Sequence, residues 1–104
     1  MNTALKTLLI TLLLTASGIA EDHIVDQRGK TFIPHALNVS VGDTITFKNS
    51  DPFAHNAYTD DENNEFDIGM QAAGTNAKMR IKSAGTFNVE CAIHPNMLLE
   101  VTAK

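Results

Sequence analysis

A single cysteine, no tryptophan, one tyrosine and three prolines stand in a chain of 104 residues. One cysteine cannot close an internal disulfide, which removes the stapled scaffolds that many small exported domains use. It also removes a structural zinc site built on several thiolates. Positive charge is scarce: eight Lys and Arg against twelve Asp and Glu leave a net −4 with histidine neutral. That balance argues against nucleic acid and anionic membrane surfaces as partners, since both repel it. Long apolar runs are missing as well. The longest, Leu8 to Leu14, falls short of the ~20 residues a helix needs to cross a bilayer, so stable membrane insertion is not expected. There is no internal repeat and no convincing helix longer than a turn or two.

The run that is present suggests an address and not an anchor. Lys6, the segment Leu8 to Leu14, and small residues at Gly18 and Ala20 fit the charged, apolar and −3/−1 cleavage regions of a secretory signal peptide over residues 1–20. An uncleaved anchor is the weaker alternative, because Thr11 and Thr15 dilute the run and no stop-transfer segment follows. Cleavage would leave residues 21–104 as one small periplasmic domain, with a net charge of −5 once Lys6 departs. A core of that size is thin and gains from a bound metal. An exported protein with one unpaired thiol is unusual unless the sulfur is bound to a metal or to another chain, and the metal reading is favoured.

The remainder reads as short strands separated by turns. Strands are expected over His23 to Gln27, Leu37 to Val41, Thr44 to Phe47, His55 to Thr59, Met79 to Lys82, Thr86 to Cys91 and Leu98 to Thr102. Arg28-Gly29-Lys30, Gly42-Asp43 and Ser83-Ala84-Gly85 are the turns, and Asn49-Ser50-Asp51-Pro52 opens a loop that delivers His55. Pro34 prevents an unbroken ladder between the first two strands, so a bend or sheet edge is expected from Ile33 to His35. Asp60 to Glu65 is a solvated acidic loop. About seven short strands without repeats argue for an all-β, Greek-key β-sandwich.

The chemistry concentrates in Cys91-Ala92-Ile93-His94-Pro95-Asn96-Met97, with His55-Asn56 upstream. A thiolate, two imidazoles and a thioether offer three strong ligands and one weak one. A His₂Cys trigonal set with a long axial Met is the blue-copper arrangement, whereas structural zinc usually takes four strong ligands. Each residue has a blander reading alone: Cys91 and Met97 as core filler, His55 as a loop histidine bonded to a carbonyl. Their conjunction at this spacing, on the expected rim of a β-sandwich, favours copper.

The Cys-x₂-His-x₂-Met spacing of Cys91, His94 and Met97, followed by a strand to the C-terminus, with His55-Asn56 upstream, resembles the cupredoxins. The short ligand loop is most similar to the amicyanin and plastocyanin-like subset, and Phe32 to Phe47 resembles the second and third strands of that family. The resemblance implies one type 1 copper ion held by His55, Cys91, His94 and Met97. It implies further that Asn56 ties the two ligand segments together, and that electrons pass through an exposed edge of His94 within a patch drawn from Ile93, Pro95, Pro34, Pro52 and Phe53. The implied function is a monomeric, non-enzymatic carrier of single electrons between redox proteins, for example a c-type cytochrome or a dehydrogenase. A copper-handling protein for periplasmic delivery or tolerance is the alternative. An enzyme using Cys91 and His94 as a nucleophile pair is disfavoured, since no Asn or Asp orienter is evident. His23 and His35 read as surface histidines, and Met70 as apolar packing with a soft copper contact as its rarer role.

Overall fold

The computed structural model describes residues 19–104, so the expected leader lies outside the described residues except for Ile19 and Ala20. Among those residues there are nine strands and no helix: β1 (Asp22–Gln27), β2 (Phe32–Ile33), β3 (Ala36–Val39), β4 (Thr44–Asn49), β5 (Tyr58–Thr59), β6 (Phe66–Asp67), β7 (Asn76–Arg80), β8 (Gly85–Glu90) and β9 (Leu98–Ala103). They form an all-β sandwich with sheet orders β2-β1-β4-β7 and β3-β9-β8-β5-β6. Each sheet contains one parallel pair, β1 with β4 and β3 with β9. Pro34 marks where the chain leaves the first sheet after β2 and enters the second at β3, a physical use for a residue that cannot donate to a ladder.

The period-two patterns place the core. Ile45 and Phe47 of β4 are fully buried, as are Val89 of β8 and Leu99 and Val101 of β9. Phe47 meets the edge of Phe32 at 6.1 Å between ring centroids and stacks on Phe66 at 6.0 Å, which joins the two sheets. Burial of each such side chain contributes roughly 1.5–3 kcal/mol.

Several strand bounds shift: the strand expected over Leu37 to Val41 is Ala36–Val39, the one expected to end at Lys82 ends at Arg80, and two changes have a clear cause. The strand expected from His55 shrinks to Tyr58–Thr59, because His55 makes only an isolated bridge with Gln71 and Asn56 turns its N–H to a sulfur instead of a strand. The strand expected at Met79 begins at Asn76, since Phe47 and Lys48 supply ladder partners for Ala77 and Asn76. Propensity alone disfavoured that Gly- and Ala-rich approach, and pairing with a buried central strand overrode it.

His23 is not a free surface histidine. Its Nε2 lies 2.8 Å from Asp43 Oδ2, and Asp43 also accepts the backbone N–H groups of Glu21 at 3.0 Å and Ser40 at 2.9 Å. These bonds close the turn at Gly42, whose φ of 95° suits glycine, and they fasten the start of β1 to it. His35 is exposed, as expected.

The loops divide between two ends of the sandwich. The turn at residues 28–31 and the segments 50–57, 68–75 and 91–97 gather at one end. At the other, Asn64 donates to Ser83 O at 2.9 Å and accepts from the N–H groups of Lys82 and Ser83, so the acidic loop of residues 60–65 sits where β8 begins. The six residues of β8 separate that end from Cys91 by about 20 Å.

The backbone N–H of Glu21, then His23 and the N–H of Ser40, hold the Asp43 carboxyl at about 2, against an ordinary 3.8. A depressed carboxyl contributes stability that is complete above the unfolded value and is lost as pH falls through the folded one. Asp43→Asn is therefore expected to be less stable at neutral pH and to lose less stability than wild type between about pH 4 and about pH 2. Urea titrations across that window measure both effects, and parallel pH profiles would show that Asp43 does not carry this dependence.

Candidate metal centre

β8 ends at Glu90 and hands the chain to Cys91, whose side chain is 1% exposed. The following turn closes with Met97 N–H donating to His94 O at 3.0 Å, bringing His94 back over Cys91 and burying Met97 to 1% exposure at the entry to β9. From the other side, the loop after β4 carries fully buried His55 to the same point. The His55 and His94 Nδ1 atoms are 3.1 Å apart, and they lie 3.9 and 3.8 Å from Cys91 Sγ.

These three donor atoms form the cluster capable of holding a metal among the described residues. An ion making bonds of about 2.0 Å to imidazole nitrogen and about 2.3 Å to thiolate sulfur fits at the centre of such a triangle. Two nitrogen lone pairs aimed at one another and at a sulfur are poorly satisfied by a single shared proton, and one cation satisfies all three. The residues present thus suit a trigonal soft-ligand site. His23 and His35 do not join this cluster.

The loop before His55 is fixed by a buried polar lattice. Asn49 donates to Phe53 O at 2.9 Å and Gln71 O at 3.1 Å, and its Oδ1 accepts the Asp51 N–H at 3.0 Å. Gln71 brackets His55 with two backbone bonds, and its side chain donates to Phe47 O and Thr75 O while accepting from Gln27 at 2.7 Å. At the centre is Asp51. Its Oδ2 lies 2.7 Å from His55 Nε2, and its two oxygens accept the Gly29 N–H at 2.7 Å and the Lys30 N–H at 3.0 Å. Burial raises the Asp51 carboxyl, but hydrogen bonds from His55, Lys30 and Gly29 outweigh it and hold the group below its usual range. An ionised Asp51 fixes the proton of His55 on Nε2 and leaves Nδ1 free to ligate.

Asn56 ties the two ligand segments together. Its N–H points at Cys91 Sγ at 3.3 Å, its Oδ1 accepts the Ala92 N–H at 3.3 Å, and its Nδ2 donates to Asp67 and Gly69 O. Desolvation, followed by the closeness of His55 and the charge of Lys30, lowers His94 below the ordinary histidine value and so favours the neutral ring that a ligand needs. Phe53 covers both rings, with centroids 5.3 Å from His55 and 5.5 Å from His94.

Sequence reasoning missed Asp51, taking it for a turn residue, and with it the orienting carboxylate it had found lacking. The available signal was an acidic residue four positions before a buried histidine. Asn49 was legible only as part of a turn, and the contacts of Gln71 with Phe47 O and Gln27, forty-four positions away in the latter case, carried no local signal.

Residues 21–104 match the family described as copper binding proteins, plastocyanin/azurin. The chain belongs to the plastocyanin/azurin family of copper-binding proteins. Plastocyanin of Vicia faba is 32% identical over 79 residues, covering 64% of this chain and 78% of that one. Chloroplastic plastocyanin of Pisum sativum is 30% identical over 79 residues, and there the chain spans only 46% of the relative. Among solved structures, a Cu(I) form of an amicyanin variant superposes with a TM-score of 0.71 at 24% identity, covering 80% of this chain and 82% of that one. A purple cupredoxin from Nitrosopumilus maritimus gives 0.69 at 22%, covering 80% and 100%. A copper-containing nitrite reductase from Thermus scotoductus gives 0.73 at 23%, but the match covers only 23% of that enzyme. These structural likenesses speak to the cupredoxin fold. Copper is accordingly the metal of this family member, and type 1 copper fits its donor set.

Asp51→Ala would strand the buried His55 donor and two backbone N–H groups. The expected loss is about 2–4 kcal/mol of unfolding free energy, present in the metal-free protein as well as the copper form. Chemical denaturation of both forms measures it, and an unchanged midpoint in the metal-free protein would show that the clamp does not depend on Asp51.

Proposed function

We propose that this chain is a small exported type 1 copper protein that carries single electrons between redox proteins, and that His55, Cys91 and His94 would hold the ion as strong ligands with Met97 as a weak fourth donor. The observation that supports it most is the convergence of two Nδ1 atoms and one Sγ, all within 4.8 Å, at a nearly dry point. Copper bound there would supply a one-electron couple whose two oxidation states both accept imidazole and thiolate.

The protein's own residues do the rest. Asp51 orients His55, and the Asn56 N–H offers the thiolate sulfur a hydrogen bond that stabilises its charge. Phe53 and the buried Met97 keep water from the sides of the site. His94 is the half-buried ligand, and around it Phe53 and Ile93 are 37% and 44% exposed, so a partner can approach one imidazole edge closely without a large interface. Cys91 is too enclosed for a substrate, which speaks against nucleophilic catalysis even though Asp51 supplies an orienter. Export to the periplasm is supported by the leader-like residues 1–20 and by a family match that begins at residue 21. No helix among the described residues is long and apolar enough to cross a membrane.

Copper delivery is the second reading, favoured by Met70, a thioether 72% exposed beside the Gln71 that brackets His55. Fast Cu(I) exchange with slow electron self-exchange would select it over the carrier.

Cu(II) loading is expected to give an intense thiolate charge-transfer band that Cys91→Ser abolishes. Retention of the band in that variant would remove Cys91 from the ligand set. Met97→Leu should still bind copper, with a higher reduction potential, because loss of a donor to Cu(II) favours Cu(I). Voltammetry with a parallel visible spectrum checks this, and an unchanged or lower potential would count against axial ligation.

A further inference from the structure

The end of the sandwich that carries His94 differs in charge from the rest of this acidic molecule. The ligand loop of residues 91–97 and the segment 68–75 contain no Asp, Glu, Lys or Arg, and the one carboxylate of the His55 loop, Asp51, is buried and fully engaged. Beside His94 lies a recess of about 450 Å³ lined by Gly29, Lys30, Thr31, Ile93, His94, Pro95 and Asn96. Lys30 is the single charged residue in that wall.

Several features make Lys30 a fixed feature and not a waving surface group. Its backbone N–H is bonded to Asp51, it occupies the left-handed region with φ of 58°, and its Nζ lies 5.5 Å from the centre of the Phe53 ring. Its ammonium makes no ion pair with a carboxylate of the described residues. Neighbouring charges are matched or face elsewhere. Arg28 pairs with Asp26 at 3.2 Å, Asp67 accepts from Asn56 and Gly69, and Glu90 is half-buried at the end of β8. The acidic loop of residues 60–65 lies at the opposite end, with Lys82 beside it at 3.4 Å from Glu65 O, and Lys30 is the charged side chain in the wall of the recess at the ligand end.

We propose that Lys30 and the recess beside His94 form the docking site for a redox protein that presents carboxylates around its own exposed cofactor edge. The proposal rests on the carrier reading above and deepens it. A carboxylate-rimmed partner is repelled by the acidic end and drawn to the Lys30 end, which brings the His94 edge forward before contact. The recess then receives a carboxylate against Lys30 while Ile93 and Phe53 supply a small apolar contact. Such a charge at the rim governs the rate and salt dependence of encounter more than it governs final affinity.

Two measurements on the copper-loaded full domain test this. The first follows oxidation of the Cu(I) protein by anionic hexacyanoferrate(III) and by cationic tris(phenanthroline)cobalt(III), in wild type, Lys30→Gln and Lys30→Glu. Lys30→Glu should slow the anionic reaction about tenfold at low salt, leave the cationic one equal or faster, and lose the difference at high salt, with the visible spectrum of the Cu(II) form unchanged. The second is an NMR titration of the Cu(I) protein with a hexaglutamate peptide. Shifts should cluster at Lys30, Ile93 and Asn96 and disappear in Lys30→Gln. Equal anionic rates in all three proteins, or peptide shifts scattered away from the recess, would overturn the docking site and leave the carrier intact. Failure of both oxidants to take an electron from the wild type would overturn the carrier reading instead.

Discussion

The hydrogen bond between Asp51 and His55 is the contact on which the metal end of this protein depends. A buried imidazole with both nitrogens free costs stability, and a carboxylate on Nε2 removes that cost on one side while leaving Nδ1 to face inward. The same carboxylate must itself be compensated, and the N–H groups of Gly29 and Lys30 do so. One ionised group therefore sets the tautomer of His55, the position of the β1–β2 turn and the placement of Lys30. The protein's own hydrogen bonds, to His55 Nε2 on one side and from the Asn56 N–H to Cys91 Sγ on the other, therefore hold the donors in place.

The division of labour between sheets and loops follows from the same economy of space. The strands bury Phe47, Val89, Leu99 and Val101 and require nothing of the metal. The loops at one end have few apolar side chains to bury and are held by polar side chains reaching backbone groups: Asn49 to Phe53 and Gln71, Asn56 to Ala92 and Gly69, Gln71 to Phe47 and Thr75. Networks of this kind specify one geometry, since a shift leaves further buried groups unpaired; among the described residues Gln27 Oε1 is the buried side-chain atom that has no partner.

Much of this was legible in the chain itself. The period-two runs around Ile45 and Phe47 and around Val89 marked the strands, and the spacing of Cys91, His94 and Met97 carried the family resemblance without any three-dimensional information. What was hidden had long-range causes. β2 and β6 are two residues each, formed only because β1 and β5 lie beside them, and no local pattern announces so short a strand. His23 looked like a surface residue because its partner, Asp43, is twenty positions away. Asp51 sat inside a dense turn signal of Asn, Ser and Pro, and the turn reading concealed its role against the ring four residues later. The sequence disclosed what periodicity and ligand spacing can encode, and withheld what side chains do to backbone groups on other strands.

The position of β9 bears on how the molecule comes into being. This last strand is interior to its sheet, with β3 on one side in parallel and β8 on the other. In the first sheet β1 likewise waits for β4, more than twenty residues later, to lie alongside it. Contacts of such long sequence separation make for a high contact order and folding on the slower, millisecond-to-second scale. A chain released from its N-terminus cannot complete its second sheet until its final residues are free. Cys91 and His94 stand between β8 and β9 while His55 follows β4, so the three clustered donors meet only when both sheets have closed.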